Sequence, residues 1–183
     1  AAAIYGTRGT NGVILITTKK GNAQRTNVNL STSYGWQTMP AERIPHLMNA
    51  AQWNEFKGTD VQGTDTDWMK EILQVAPTSN TELSVSSGND KTRLYISGNL
   101  YTQDGTVKST AFNRYSGRVN VDHKLLKDLT LGAGVSMTYS VNHRVEGDQT
   151  TYGPLPNALS EPAIYPVYNP DGTYYEGNLP YAN

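Results

Sequence analysis

The chain has 183 residues, which is enough for one domain or for part of a larger one. Its formal net charge of -1 excludes the basic excess that nucleic-acid binding needs, so no nucleic-acid partner is expected. It contains no cysteine, which excludes disulfides, zinc–thiolate sites and thiol nucleophiles.

Residues 1–26 are predicted to contain one buried strand and a linker. Residues 1–12 are small and Gly-rich, and the run Val13-Ile14-Leu15-Ile16-Thr17-Thr18 is continuous and largely β-branched. This run predicts a strand that is buried on both faces. The strand ends at Lys19-Lys20-Gly21-Asn22, which carry charge and a turn signal, and residues 21–26 are interpreted as a linker.

Strict alternation begins at Asn27 and predicts a half-buried strand. One face carries Val28, Leu30, Thr32, Tyr34 and Trp36, and the other carries Asn27, Asn29, Ser31, Ser33 and Gln37. The stretch from about 40 to 78 does not alternate. Within it, residues 47–56 have apolar positions near helical spacing, and residues 68–73 favour a second short helix with Thr66 or Asp67 as its cap.

Alternation returns after residue 78 in four segments. Their apolar sides consist of Leu83 and Val85; Leu94, Ile96 and Leu100; Tyr115, Val119 and Val121; and Leu129, Leu131, Ala133, Val135, Met137, Tyr139 and Val141. The last segment alternates over about thirteen residues. Soluble strands usually have about 5–6 residues, whereas tilted membrane-spanning strands need about 9–11. The length of this segment therefore favours a membrane-spanning strand.

The connections between these strands are predicted to differ in length. A two-residue Asn89-Asp90 loop places Val85 opposite Leu94, and a five-residue loop at 123–127 places Val121 opposite Leu129, so the apolar sides agree. The connections at about 104–112 and from 142 onward are longer and rich in Gly, Asn, Asp and Thr. Short turns at one end and long loops at the other are typical of an outer-membrane barrel.

Periodicity alone leaves two architectures open. In a soluble β-sandwich the apolar face meets a second sheet, whereas in a membrane barrel the polar face lines a hydrated lumen. Arg114, Arg118, Asn120 and Asp122 share one polar row, which suits a lumen or the wet face of a sandwich. The 12 tyrosines suit a membrane-interface girdle, a sugar-binding surface or an ordinary sheet surface. Strand length and unequal loops favour the barrel.

Several segments resemble one known family, in the family's own order. They are residues 3–21, which contain Ala-Ile-Tyr-Gly, Asn-Gly-Val and Thr-Lys-Lys-Gly, then Thr66-Asp67-Trp68, residues 83–88, residues 112–124 (FNRYSGRVNVDHK) and residues 165–172 (YPVYNPDG). Together they resemble the plug end and first barrel strands of SusC/RagA-like TonB-dependent outer-membrane transporters. The resemblance covers nearly the whole chain and is weakest at about 37–62.

The resemblance implies an all-β chain with short loop helices. It implies part of a large antiparallel transmembrane β-barrel, of about 22 strands, with the C-terminal end of its plug domain. Residues 1–20 correspond to the plug end, 21–26 to a linker, and 27–183 to the first about five barrel strands, with long extracellular loops at about 38–78, 104–112 and 142–183. We therefore expect a fragment of a bacterial outer-membrane protein without the N-terminal region that contacts TonB.

The resemblance also implies a function and partners. The expected function is import of glycans or oligopeptides together with a SusD-like surface lipoprotein, driven by the TonB complex across a lipid bilayer. No catalysis and no cofactor are expected. Two alternatives stay open: an outer-membrane receptor of the same fold with a mainly signalling role, and a soluble β-rich carbohydrate-binding module or glycosidase domain.

The candidate functional residues fall into two groups. The plug motif consists of Ile4, Tyr5, Gly6, Asn11 and Gly12. The substrate-binding candidates, in the lumen or in loops, are Tyr95, Asn99, Tyr101, Arg114, Arg118, Tyr165 and Tyr168. Arg114 and Arg118 are expected to pair with acids of the plug or of a neighbouring strand. Asn169-Pro170-Asp171-Gly172 predicts a turn, because Pro fixes φ and Gly accepts a positive φ.

No catalytic or metal site is predicted. The Gly-rich stretch 6–12 lacks the Gly-Lys-Ser/Thr that a phosphate-binding loop needs. The histidines have no ligand spacing, and one of them, His123, is expected at a turn; the three are His46, His123 and His143. The acids at 60, 65, 67 and 71 are interpreted as a solvated loop, rather than as glycosidase carboxylates or a calcium site.

Overall fold

The structure is a computed structural model that describes residues 12–14, 19–21, 25–58, 63–145 and 153–175. Its five strands are β1 (Asn27–Gln37), β2 (Ala76–Gly88), β3 (Thr92–Asp104), β4 (Ala111–Leu126) and β5 (Leu129–His143). They form one sheet in the order β1-β2-β3-β4-β5, so each strand pairs with its neighbours in sequence. This antiparallel meander confirms the predicted all-β class and the predicted succession of hairpins.

The loops contain three short α-helices within the described residues, α1 (Ala50–Lys57), α2 (Trp68–Ile72) and α3 (Pro154–Ser160), and a 3-10 helix at Ala41–Arg43. The helix predicted from residue 47 begins later, because Asn49 and Gln52 form a capping box at its start. The predicted cap of α2 is confirmed as Asp67, whose side chain accepts from the Lys70 N–H. The sequence pattern did not predict α3.

Among the described residues, no helix has the length and apolar character needed to cross a membrane.

The predicted strand at 13–18 is only partly described. Val13 and Ile14 lie outside any strand and are 40% and 90% exposed, so the predicted burial is wrong for these two residues. No element in the described part of the chain covers them. Residues 15–18 lie outside the described residues.

The β2–β3 turn differs from its predicted register. The Asn89 N–H donates to the Thr92 carbonyl at 2.8 Å, and the Asn89 side chain accepts from the next N–H groups along the chain. This Asx-type turn moves the pairing by two residues, so the predicted pairing of Val85 with Leu94 is wrong. A shift of two residues leaves every side chain on its predicted face.

The β4–β5 connection is shorter than predicted. β4 continues to Leu126, and residues 127–128 make the turn. His123 is therefore a strand residue rather than a turn residue, and its Nδ1 lies 2.8 Å from the Thr92 hydroxyl of β3. The charged His-Lys pair that resembled a turn signal instead lies near the end of a long strand.

The β4–β5 register is consequently different as well. A Cβ built on Gly132 would lie 2.8 Å from the Asp122 carboxylate, which places these two residues opposite each other. The predicted pairing of Val121 with Leu129 is therefore wrong. The shift is again by an even number of residues, so the apolar and polar faces remain as predicted.

The predicted loop boundaries also change. β2 begins at Ala76, so the first long loop ends at 75, and the β3–β4 connection is 105–110 rather than 104–112. A hydrogen bond of 2.8 Å from the Gly105 N–H to the Thr110 carbonyl closes this connection. An antiparallel bridge between Leu73 and Val107 joins the two loops.

Contacts divide the chain into two compact units. We call the first the turn unit (Ala1–Leu30, Leu83–Gly98, Gly117–Met137) and the second the loop unit (Ser31–Glu82, Asn99–Ser116, Thr138–Asn183). In the turn unit, the apolar sides of the strands are mainly aliphatic and 42–76% exposed; they carry Val28, Leu30, Leu83, Ile96, Val119, Leu129, Leu131, Val135 and Met137.

The apolar sides of the strands in the loop unit are mainly aromatic. Tyr34 and Trp36 of β1 meet edge to face, and Tyr115 of β4 stacks on Tyr139 of β5. These four side chains are 44–67% exposed. No second sheet covers them in the part of the chain that the structure describes.

The core of the loop unit consists of loop residues rather than the apolar side of the sheet. Trp68, Met69 and Ala158 are its buried members, and the residues packed against them are Ile44, Leu47, Ile72, Leu73, Leu155, Tyr165 and Val167. The Trp68 indole N–H donates to the Pro162 carbonyl at 3.1 Å. Residues distant in sequence therefore fold into one compact loop cluster.

Candidate functional site

The polar sides of the strands in the loop unit form a row of amides. Asn99 Nδ2 donates to Asn80 Oδ1 at 2.7 Å, and Gln103 Nε2 donates to Gln37 Oε1 at 3.2 Å. The Tyr101 hydroxyl donates to Gln103 Oε1 at 2.7 Å. Because each amide can form several hydrogen bonds, this row, which we call the polar row, still offers donors and acceptors to a ligand.

A cation and two aromatic rings adjoin the polar row. The Arg114 guanidinium lies 5.4 Å from the centre of the Tyr101 ring, and the Phe112 ring centre is 6.1 Å from the same ring. Within the described residues, neither Arg114 nor Arg118 forms an ion pair, so the neighbouring strands do not provide the expected acid. Arg114 is exposed and Arg118 is half-buried.

In the turn unit, residues 19–21 lie against the polar sides of β3 and β4; we call them the strap. The Lys19 carbonyl accepts from Asn120 Nδ2 at 2.9 Å, and Lys20 Nζ lies 3.1 Å from the Asp122 carboxylate. Gly21 lies so close to the backbone of Leu94 that a Cβ would be 2.6 Å from the Leu94 carbonyl oxygen. Polar side chains of β4 therefore attach the strap, which precedes β1 in the chain.

Small residues of β5 make room for the side chains that hold the strap. A Cβ at Gly134 would lie 2.7 Å from Asn120 Oδ1, and one at Gly132 would lie 2.8 Å from Asp122 Oδ1. Side chains at these two positions would push Asn120 and Asp122 out of place. Glycine at positions 132 and 134 therefore leaves the space that Asn120 and Asp122 need.

The structure places the predicted strand candidates in different environments. Asn99, Tyr101 and Arg114 are brought together at the polar row, whereas Tyr95 is 6% exposed and offers little surface to a ligand. Gln37, Asn80, Gln103 and Phe112 were not among the predicted candidates, although the alternation of β1 assigned Gln37 to a polar side. Asn80, Gln103 and Phe112 lie near strand ends that the sequence did not predict. Extending the alternation to those ends would have placed them on the polar sides.

Of the plug motif, only Gly12 belongs to the described residues. Its φ is +102°, and no atom lies within 4 Å of the position of a Cβ. Only its backbone conformation therefore favours glycine. Ile4, Tyr5, Gly6 and Asn11 lie outside the described residues.

The loop candidates form two tyrosine pairs. Tyr165 stacks on Tyr175 with ring centres 5.6 Å apart, and its carbonyl accepts from the Thr66 hydroxyl at 2.6 Å. Tyr168 lies 5.1 Å from Tyr174, and both of these rings are more than half exposed. Tyr165 therefore stabilises the loop cluster, while Tyr168 and Tyr174 present aromatic surface.

The predicted turn at 169–172 is confirmed, and it positions the exposed tyrosine pair. Gly172 has a φ of +84°, and its N–H donates to the Asn169 carbonyl at 2.9 Å. The Asp171 carboxylate accepts from the Thr173 hydroxyl and N–H, and these hydrogen bonds lower its pKa. The turn brings Tyr168 and Tyr174 into an antiparallel bridge, and their mutual hydrogen bond raises the pKa of Tyr168.

The predicted acidic loop has a structural role. Asp65 accepts from the Ala50 N–H at 2.8 Å, at the start of α1. Asp67 caps α2 and contacts Lys70 Nζ at 2.8 Å, and this hydrogen bond lowers the pKa of the Asp67 carboxyl. Asp60 lies outside the described residues. Where the chain is described, no group of three or more His, Asp or Glu side chains is arranged to hold a metal ion.

A cavity of about 480 Å³ lies beside these loops, lined in part by Trp68, Leu47 and Glu161. Burial raises the pKa of the Glu161 carboxyl above its ordinary value of 4.5. Burial therefore disfavours the charged form of this carboxyl.

The chain is similar in sequence and in structure to known proteins. No protein-family model matches the chain. The chain is 35% identical, over 98% of its length, to TonB-dependent receptor P3 of Formosa agariphila, and 26% identical, over 95% of its length, to TonB-dependent receptor SusC of Bacteroides thetaiotaomicron. The RagAB peptide importer in its open-open state matches 96% of the chain with a TM-score of 0.73 and 25% identity.

The chain belongs to the SusC/RagA-like TonB-dependent transporters. It spans about one fifth of the length of the curated relatives, with 19% of P3 and 18% of SusC covered. In RagAB, it covers 24% of the matched chain. The five-stranded sheet corresponds to part of the barrel of such a transporter, so the predicted family and fold are confirmed.

Proposed function

We propose that this chain forms wall and loops of an outer-membrane importer for oligomeric nutrients. Residues 1–20 are the end of its plug, 21–26 are the linker, and 27–183 are its first five strands and their loops. A SusD-like lipoprotein captures the glycan or oligopeptide at the cell surface, and the TonB complex acts through the N-terminal region of the intact protein. The chain moves substrate and catalyses no reaction.

The distribution of exposed apolar side chains carries this proposal. Aliphatic side chains dominate the apolar strand sides of the turn unit, and aromatic side chains dominate those of the loop unit. Lipid-facing barrel strands have an apolar band bordered by aromatic girdles where lipid meets water. The polar row and the strap both use the opposite, hydrogen-bonding sides of the strands, as a plugged lumen requires.

The predicted substrate contacts follow from the same assignment. Asn99, Tyr101 and Arg114 face the lumen at the polar row, and Tyr168 presents its ring in a loop. The names of the relatives support import of an oligomer: RagAB is described as a peptide importer. Neither the described structure nor these names supports a mainly signalling role.

Adjacent residues of β5 provide a matched test. In the intact transporter, Val135→Arg places a charge on a side chain that is 66% exposed on the apolar side, whereas Ser136→Arg places it on the polar side. A lipid-facing arginine costs about 2–4 kcal/mol near the bilayer midplane. We expect Val135→Arg to lower the amount of folded, heat-modifiable barrel in outer membranes and Ser136→Arg to leave it nearly unchanged.

Import is measured in the same strains. A receptor-deletion strain that carries each variant is grown on oligosaccharides or oligopeptides as the sole nutrient. Growth should require the wild-type or Ser136→Arg receptor, an intact TonB and the neighbouring lipoprotein. Equal assembly of both variants would contradict the lipid-facing assignment, and growth without TonB would contradict active import.

A further inference from the structure

A second cavity in the loop unit has a chemistry that the proposed function does not use. It measures about 430 Å³ and lies where β3, β4 and β5 meet their loops; we call it the rim cavity. Its lining includes Gln103, Phe112, Asn142, His143, Arg144 and Leu155. The described residues that line it contain no aspartate or glutamate and include one arginine.

Arg144 is held in place by a neighbouring amide. With the Asn142 amide oxygen facing the guanidinium, Asn142 accepts from Arg144 Nε at 2.8 Å and from Nη2 at 2.9 Å. Arg144 forms no ion pair with any described residue. Its remaining N–H groups can therefore meet a carboxylate, for which the planar guanidinium has matching geometry.

The rest of the lining suits the body of a small acidic unit. Gln103 is fixed by its hydrogen bonds to Tyr101 and Gln37, and Phe112 packs beside Tyr101. Phe112 and Leu155 supply apolar surface, while Gln103 supplies an amide. A volume of about 430 Å³ is within the common range of small-molecule pockets and holds one sugar ring or a short peptide end.

We propose that the rim cavity binds the carboxylate-bearing terminal unit of the imported oligomer. Arg144 pairs with the carboxylate, Asn142 positions Arg144, and Phe112 contacts the body of the unit. This inference rests on the proposed import function and specifies its substrate class as an acidic oligomer. A carboxylate is favoured over a neutral end because a charge-assisted pair with arginine is stronger than a neutral hydrogen bond.

Two pairs of probes test the proposal on the intact, detergent-purified transporter by calorimetry. The first pair is an oligopeptide with a free C-terminal carboxylate and the same peptide as its C-terminal amide. The second is an oligosaccharide that ends in a uronic acid and the same oligosaccharide with that carboxyl reduced. In one pair, the acidic member should bind roughly ten- to a hundredfold more tightly, and the pair identifies the source of the carboxylate.

Three variants assign this preference to the cavity. Arg144→Gln should remove it, and Asn142→Asp should reduce it, because the new carboxylate would form an ion pair with the Arg144 guanidinium and compete with the ligand. Arg43→Gln is the matched control: it removes an exposed arginine that does not line the cavity and should keep the preference. The affinity for the neutral members should change little in all three variants.

Other outcomes overturn the proposal. Equal binding of the acidic and neutral members, a preference that survives Arg144→Gln, or binding of none of the four probes would each refute a carboxylate site. Failure of the proposed import function would give different results. It would be seen as loss of outer-membrane assembly, or as growth on oligomers that does not depend on the wild-type transporter.

Discussion

The strap offers a prediction whose size follows from its contacts. One hydrogen bond, between Asn120 and the Lys19 carbonyl, contributes about 1 kcal/mol. The ion pair between Lys20 and Asp122 has side chains 59% and 21% exposed, so it contributes below about 1 kcal/mol. Together these two contacts contribute about 1.5 kcal/mol, and the steric clash of one added methyl group can cost as much.

Gly21→Ala supplies that methyl group. Its Cβ would lie 2.6 Å from the Leu94 carbonyl oxygen and 2.8 Å from the Arg93 carbonyl carbon, and backbone atoms cannot rotate away. Crowding of this kind costs about 1–3 kcal/mol, which matches or exceeds what the strap contacts contribute. We expect the strap to detach, and tryptic cleavage after Lys19 and Lys20 in the intact transporter to become about tenfold faster.

A second glycine provides the control. Gly98 of β3 has open space at its Cβ position, so Gly98→Ala should leave cleavage at the strap unchanged. Cleavage rates of the urea-unfolded proteins correct for the altered residue beside the scissile bond. If Gly21→Ala is as resistant as the wild type after this correction, the strap does not lie against β3 as described.

Two further predictions concern the loop cluster. Trp68→Ala removes a ring that is 6% exposed and should cost about 3–5 kcal/mol locally, so protease should cleave residues 153–175 faster; Phe56→Ala, at a residue 67% exposed, should have little effect. Glu161→Gln tests the desolvated carboxyl. Because burial raises the pKa of Glu161 above 4.5, its contribution to stability is lost as pH rises through the folded pKa. Hydrogen exchange of the loop should thus show Glu161→Gln stabilising it at pH 7 but not at pH 4; equal effects at both pH values would refute the charge argument.

The strands were predicted best where one face is continuously apolar. β1 matched its predicted bounds because each even-numbered position from 28 to 36 except Thr32 is large and apolar. The first half of β2 was missed, since Pro77 and the polar residues 78–82 leave neither face apolar. β4 was cut short because His123 and Lys124 resemble turn residues, whereas the strand pairing that retains them involves residues more than thirty positions away.

The sites were predicted less completely, for a related reason. Arg114 was placed on the correct face, but its partner is the Tyr101 ring rather than a strand acid. Cation–π contacts depend on which side chains become neighbours across strands, and periodicity does not identify them. The loop cluster depends on contacts such as that between Trp68 and Pro162, and α3 begins with a Pro-x-Pro sequence that carries no helical pattern.

The strap also determines how the chain responds to tension. Among the described contacts, a pull on the chain before Lys19 loads one side-chain hydrogen bond and one partly exposed ion pair at the strap. β4, to which these contacts attach, is held along its length by hydrogen bonds to two neighbouring strands. These ladder bonds share the load, whereas the two strap contacts can break one after the other. The strap should therefore peel away at low force while the barrel wall keeps its register.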